Sequence, residues 1–457
     1  METSKKYYPL NYSQNLLFYS QKFSIFKQVN TICTSYLVKM ELDEDILKKA
    51  IRTAYQKQEC MRLKLKKVDK QTVQYIDDYE EPDIHIVDFS KKTKEKEKKF
   101  FEKVAHKCFT KYEKNMNAIY IVHSQNGYNG LALAISHLAM DSFAIFAFYK
   151  FVLDYYTHYK DGKPAPKDPA SYTAVLEKDL SYPNSPQHKK DIEFWEEYHK
   201  KPLPTYTDIR GPKPLLEKTR KKIPDATYAM TFTFDSRAKH IVLKYEKDLV
   251  DKMEAYRASH GVSVQSLITT AMATYISAYN DTDYITLFIA QARRATLAEK
   301  TSGGSRIHVF PFRYVYDRNE SFEKTVENAY NEQCSIMHHV NINSLEVFAI
   351  QGKAYPSKMG SQFHALALTY QPVRISSPNN VESQIMWYPN GTAAQPIYPT
   401  IMDGNGTGEL HCYYEYKIKL YKPEEIKKAH EGFVKILNMA MDDPNITLGE
   451  IIKKINI

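Results

Sequence analysis

The sequence is poor in the residues that mark several function classes. Its five cysteines (Cys33, Cys60, Cys108, Cys334 and Cys412) are odd in number and scattered, with no CxxC pair. Neither a disulfide framework nor a zinc cluster follows from such spacing. The expectation is a cytoplasmic protein with reduced thiols, in which the Asn390-Gly391-Thr392 triplet carries no glycan. Glycine is scarce, with 15 residues in 457. There is no P-loop, GxGxxG, GxSxG elbow or HExxH. No apolar run reaches the ~18 residues of a membrane span, and none follows Met1–Lys6 as a secretory leader would. Charge of one sign is also lacking. The 63 basic and 54 acidic residues leave a net +9, not clustered as a nucleic-acid surface would be. The densest basic run, Lys91–Lys99, is interleaved with Glu and leads into Phe100, Phe101, Val104, Ala105 and Cys108. That is an amphipathic helix with a solvated basic face.

What is present is enough for sizeable cores: 43% hydrophobic residues and 36 tyrosines. The length favours two to three domains or two large lobes. Apolar periodicity predicts helices over 12–26 and 43–57, the second capped by Asp43. It predicts strands over 31–41, 62–67, 72–76, 116–123 and 131–136. Residues 157–190 are rich in Pro, Gly and Asn and read as a connector, so the boundary is placed between a 1–175 and a 176–457 domain. A short helix at 191–198 carries Trp195. Strands at 229–234 and 239–243 follow, then helix 246–260, stopped by Gly261, and an apolar helix 264–279 capped by Ser263. Strand 284–290, strand 306–316, helix 321–338, strands near 364–371, 383–388 and 409–419, and helix 423–441 complete the chain. Asp403–Glu409 imitates the start of a calcium loop, but Tyr414 stands where the twelfth-position acid belongs, so it reads as a Gly-rich hairpin loop. Cys334 and His338, with His339 beside them, make no complete metal site.

The stretch Ser136-His137-Leu138-Ala139-Met140-Asp141-Ser142 carries the most chemistry. An apolar strand ends on a histidine, and four residues later an aspartate and a serine, both good N-caps, open an aromatic-rich helical pattern from Phe143 to Tyr156. A strand end fixes an imidazole, whose pKa near ~6.5 suits a base at neutral pH. Taken alone, the pair reads as an ordinary strand-end histidine and a helix cap.

The stretch resembles the His-His-x-x-x-Asp-Gly motif of the condensation-domain superfamily of acyltransferases, related to chloramphenicol acetyltransferase. His137 stands at the second, catalytic His and Asp141 at the Asp; Ser136 replaces the first His and Ser142 the Gly. Other landmarks resemble the family in order: Tyr8-Pro9-Leu10-Asn11-Tyr12-Ser13-Gln14, Met61-Arg62-Leu63, Asp191 to Trp195, Ala292-Arg293, Gly304 through Arg313 (with His308 at the family's Asn), and Tyr414-Glu415-Tyr416.

The resemblance implies an α/β fold of two acetyltransferase-like lobes in a V with a tunnel between them. It implies His137 as the catalytic residue and Asp141 as structural support paired with an arginine, Arg293 first and Arg62 second. Ser136 and Ser142 would line the substrate tunnel. Ser142 would narrow it where a glycine could take φ > 0. No cofactor is expected to be bound permanently and no metal is needed. The donor would be a phosphopantetheine thioester on a carrier protein or coenzyme A. The acceptor would be a small-molecule amine, or an alcohol. At this length the expectation is a free-standing, monomeric condensation enzyme of nonribosomal peptide or related biosynthesis, with an acyl or peptidyl carrier protein as partner. Ester formation, an epimerase-like use of the same histidine and a non-catalytic carrier-docking module are the alternatives. No Glu-Gly-His-Gly-Arg stretch supports the epimerase. No Asp-Phe-Gly-Trp-Gly run supports the plant-type branch, which Trp387–Gly391 echoes only superficially.

Overall fold

The structure is a computed structural model that describes residues 5–233, 235–358 and 360–455. The leader-free reading of Met1–Ser4 lies outside them. The chain forms two compact units, one of residues up to Ser185 with Ala292–Ile307 and Arg374–Thr392, the other of Pro186–Gln291, His308–Val373 and Ala393 onward. The division expected from composition, 1–175 and 176–457, has a single cut; the compact units also interchange two later segments. Both units are α/β, as expected.

The first unit is built on a five-stranded sheet in the order Ser383–Tyr388, Thr31–Lys39, Tyr128–Ser136, Asn117–His123, Ile84–Asp88. All neighbours are antiparallel except the last pair. Its central strands are covered on both faces, so they read as near-continuous apolar runs rather than alternating ones. Their few polar side chains are satisfied internally. Thr34 Oγ1 lies 2.8 Å from Tyr149 Oη, which also donates to the Thr34 carbonyl at 2.8 Å and accepts from Leu133 N–H at 3.1 Å. Gly130 is required where two strands approach, because a Cβ there would lie 2.2 Å from the Tyr36 carbonyl oxygen. Helix Glu44–Lys57 starts as expected at Asp43, whose carboxylate accepts from Asp45 and Ile46 N–H. It buries Leu47, Ala50, Ile51, Ala54 and Tyr55, spaced at three and four.

Helix Ser142–Asp161 outruns the helical pattern expected to close at Tyr156. Tyr155 and Tyr156 are still buried, and the stop is Gly162 in the left-handed region at φ 67°. The expected connector is shorter than composition suggested. Ser171 caps a helix Tyr172–Ser181, and Tyr172, Val175 and Leu176 are its buried face. A further helix begins at Pro186 and runs to Tyr198. Turn-forming residues at 183–186 end one helix and begin another, which is why the segment reads as loop.

The second unit carries a six-stranded sheet in the order His308–Val315, Tyr284–Gln291, Ala367–Gln371, Ile397–Asp403, Leu410–Lys417, Ala238–Tyr245. Helices Lys247–His260, Val264–Asn280, Phe322–Met337 and Pro423–Asp442 contribute to its core. Val264–Asn280 is covered nearly all round, and its residues there are apolar or small hydroxyl side chains. Strand Ile397–Asp403 and helix Ser344–Ala354 are absent from the sequence reading. The expected strand 229–234 is reduced to Ala229–Met230, with Phe234 outside the described residues. The loop that imitates a calcium site joins the antiparallel strands ending at Asp403 and beginning at Leu410, with the Asp403 carboxylate accepting from Gly406 N–H at 2.7 Å. All five cysteines are free. Among the described residues no helix is long and apolar enough to cross a membrane, and no group of three His, Cys, Asp or Glu could hold a metal ion.

Candidate functional site

Strand Tyr128–Ser136 delivers the histidine. Its last residue pairs with Thr31, and His137 N–H donates to the Asn30 carbonyl at 2.6 Å, which fixes the backbone just past the ladder. Ser136 is fully buried. Its N–H donates to the Met116 carbonyl, and its Oγ lies 2.7 Å from Thr110 Oγ1 and accepts from Leu138 N–H at 3.3 Å. Ser136 therefore braces the turn from inside. Beyond His137 the chain is held by Gln14, whose Nε2 donates to the Leu138 carbonyl at 2.9 Å. Gln14 is itself placed by a reciprocal cap with Asn11 at the start of helix Tyr12–Phe23. Thus part of the Tyr8–Gln14 motif acts directly on the backbone next to His137.

Asp141 caps helix Ser142–Asp161, accepting from Ala144 N–H at 2.9 Å. It also accepts from Arg306 N–H at 2.9 Å and, at both oxygens, from Arg294 Nη2 at 2.9 and 2.8 Å. The side chains of Asp141 and Arg294 are 2% and 1% exposed. In such a site deleting one partner strands a buried charge at a cost of ~3–5 kcal/mol. The partner is thus Arg294, in place of Arg293 or Arg62. Arg293 has φ 53°, in the left-handed region, so the two successive arginines take separate routes. Arg293 lies 3.8 Å from Asp179, and its carbonyl accepts from Arg306 Nε at 3.1 Å. Burial lowers its pKa to about 10. Arg62 donates instead to the backbone carbonyls of Asp77 and Gln56.

Around this pair lies a buried group of matched charges. Arg306 meets Asp179 through two nitrogens, at 2.6 and 3.1 Å, and reaches Glu299 at 3.4 Å. Asp179 sits on the Tyr172–Ser181 helix, so reading that segment as a connector hid a site residue. The 302–306 stretch wraps Asp141. The Gly304 carbonyl accepts from Arg294 and from Asp141 N–H. Gly304 has φ 78°, and a Cβ on it would lie 2.4 Å from the Tyr172 ring. The next residue, Ser305, places its Oγ 3.4 Å from His137 Nδ1. The Gly304–Arg313 landmark flagged this stretch; nothing in it singled out Ser305. His308, at the landmark's Asn position, is buried at the start of a strand of the other unit, its Nδ1 3.1 Å from the Ile342 carbonyl.

Ser142 is the first residue of its helix and is not among the positive-φ positions. The conformational freedom of a glycine is not needed there. His137 itself is partly exposed, yet enclosed enough that desolvation lowers its pKa below the ordinary imidazole value, against the pull of the Asp141 charge. At neutral pH the ring is a free base, held by backbone on both sides and next to a hydroxyl.

The family model described as "Condensation domain" matches residues 4–452. A plipastatin synthase subunit of Bacillus subtilis (strain 168) is 20% identical over 451 residues, covering 98% of this chain and 17% of its own length. A surfactin synthase subunit of the same organism is 19% identical over 463 residues, covering 97% and 12%. The chain therefore spans less than a fifth of either relative. Among solved structures, a mutant starter condensation domain of rhizomide synthetase RzmA in complex with C8-CoA matches with TM-score 0.81 at 14% identity, over 97% of both chains. The first condensation domain of the calcium-dependent antibiotic synthetase, with a substrate analogue, matches at TM-score 0.81 and 12% identity, over 98% and 99%. VibH, an NRPS condensation enzyme, matches at 0.75 and 13%, over 95% and 99%. At these identities the likeness is one of fold.

Proposed function

The chain belongs to the condensation-domain family, and from that premise we propose that it transfers an acyl group from a phosphopantetheine thioester to an amine, with His137 as the base. The observation that carries the reading is the setting of His137: its backbone fixed by the Asn30 carbonyl, the next carbonyl held by Gln14, Ser305 Oγ beside Nδ1, and desolvation favouring the neutral ring. In this scheme Nδ1–H donates to Ser305 Oγ, leaving the Nε2 lone pair for the acceptor. The amine nitrogen attacks the thioester carbonyl carbon and gives its proton to Nε2. The carbon–sulfur bond breaks, and the same proton passes to the departing sulfur. Such base assistance is worth ~10²–10⁴ in rate. Asp141 and Arg294 are positioning residues, which keep the helix start and the 302–306 stretch in place around the imidazole.

The donor class is a thioester on coenzyme A or a carrier protein; the rhizomide synthetase domain in complex with C8-CoA supports it. The acceptor is a small-molecule amine, and the setting is nonribosomal peptide or related biosynthesis, which the plipastatin and surfactin synthase relatives support. The test is mass spectrometry of the protein with a panel of CoA and carrier thioesters and pooled amines and alcohols, beside His137→Ala. A new amide mass that disappears in the folded variant supports the proposal. An ester mass moves it to oxygen acylation. An unchanged rate in His137→Ala, or carrier binding without any product, overturns it.

A further inference from the structure

The second unit holds a cavity of about 280 Å³, with Phe288, Phe348, Tyr355, Phe363, His364 and Gln395 among its lining. That volume is at the lower end for ligand sites, enough for one ring-bearing group. His364 is 4% exposed, and neither ring nitrogen makes a hydrogen bond. Buried polar side chains nearly always have partners, so a doubly unpaired imidazole on a cavity wall is itself a sign of a missing one. Its ring stacks on Phe288 with centroids 3.8 Å apart and planes 19° apart, which fixes the edge it presents. Tyr355 is no competitor for a ligand, because its hydroxyl is already shared between Arg313 and the Lys201 carbonyl. Gln395 already accepts from Gln362.

Two features select the ligand. The lining contains no Lys, Arg, Asp or Glu among the described residues, so a charged group would lose its hydration with nothing to replace it. A neutral imidazole offers one donor and one acceptor, and a hydroxyl answers either. Burial holds His364 neutral, its pKa lowered to about 3. The Gln395 side chain opposes that shift.

We propose that this cavity binds a neutral, ring-bearing group with one hydroxyl, of the phenol class, through a hydrogen bond to His364 and ring contacts with Phe288, Phe348 and Phe363. That the group is part of a substrate rests on the acyl-transfer reading above; the binding itself does not. The test is calorimetric titration of the whole protein with phenol and with toluene, no thioester being present, so that its failure is distinct from failure of acyl transfer. Phenol should bind about tenfold more tightly than toluene, the worth of one buried hydrogen bond. His364→Phe should remove that preference and His364→Gln should keep it. Gly352, exposed on helix Ser344–Ala354 and lining the cavity, has no atom within 4 Å of an added Cβ. Gly352→Leu should therefore fill the cavity in a folded protein and abolish phenol binding. Equal binding of phenol and toluene, no binding of phenol at millimolar concentration (a cavity that holds only water), or phenol binding unchanged in Gly352→Leu would overturn the proposal.

Discussion

His137 and His364 are both kept neutral by desolvation, yet their surroundings are opposites. Near His137 the protein has spent its polar groups on itself: Asp141 accepts from Arg294, Arg306 and Ala144, Gln14 holds the Leu138 carbonyl, and Ser305 faces the ring. Near His364 there is an uncharged lining that mixes aromatic rings with Gln and Ser side chains, and an imidazole with no well-formed hydrogen bond at either nitrogen. The contrast separates two ways of placing a titratable group. One is rigid support, in which most interactions exist before any ligand arrives and removing one is costly. The other is the arrangement proposed for His364, in which a ligand supplies the polar contact.

The largest break in that comparison is chemical. His137→Ala should lower product formation by ~10²–10⁴ with an unchanged far-ultraviolet circular dichroism spectrum, whereas His364→Phe should leave the rate with a substrate lacking a ring within a few-fold. Next comes stability. Asp141→Ala strands the Arg294 charge and should cost ~3–5 kcal/mol in urea unfolding. His364→Phe removes a polar group whose neighbour Gln395 keeps its bond to Gln362, so the same measurement should show a change within about 1 kcal/mol of zero or a gain.

The pH dependence sharpens the distinction further. A histidine whose folded pKa lies below its unfolded value takes up its proton first in the unfolded chain, so stability falls as pH falls from the unfolded value toward the folded one. For His364 that window runs from 6.5 down to about 3, at up to ~1.4 kcal/mol per pH unit. His364→Phe should flatten the wild-type loss between pH 6.5 and 4.5 by about 2–3 kcal/mol. His137, also lowered, should show itself in catalysis, as an acid limb of kcat/KM with its midpoint below 6.5. The smallest effect is expected for Ser305→Ala. The hydroxyl supports the charged ring more than the neutral one, so its loss should move that limb further down, by under about one pH unit, at little cost in stability.

Strong periodicity made much of the fold legible. The Asp43-capped helix, the strand ending at Ser136 and the largely apolar helix after Ser263 each carry their signal within a few turns of chain. The site was legible as far as His137 and Asp141, because strand, turn and cap are local. Its partners were not. Arg293 and Arg294 are neighbours in sequence, and only the left-handed backbone at Arg293 decides which one reaches Asp141. Asp179 was hidden because prolines and asparagine beyond its short helix outweighed a buried face of three residues in a window of ten. His364 gave no signal at all, since what distinguishes it is the absence of a hydrogen bond.

The Asp141–Arg294 pair also sets a schedule. The two residues are 153 positions apart, and at ~5–20 residues per second of synthesis the aspartate leaves the ribosome roughly 8–30 s before its arginine does. Through that interval the first unit also lacks Ser305 and the edge strand Ser383–Tyr388, while the remainder of the chain is still being made. A nascent chain of the first 185 residues is therefore an incomplete unit whose Asp141 carboxylate has its helix cap but not its arginine, and the imidazole site closes only when a much later stretch of the chain returns to it.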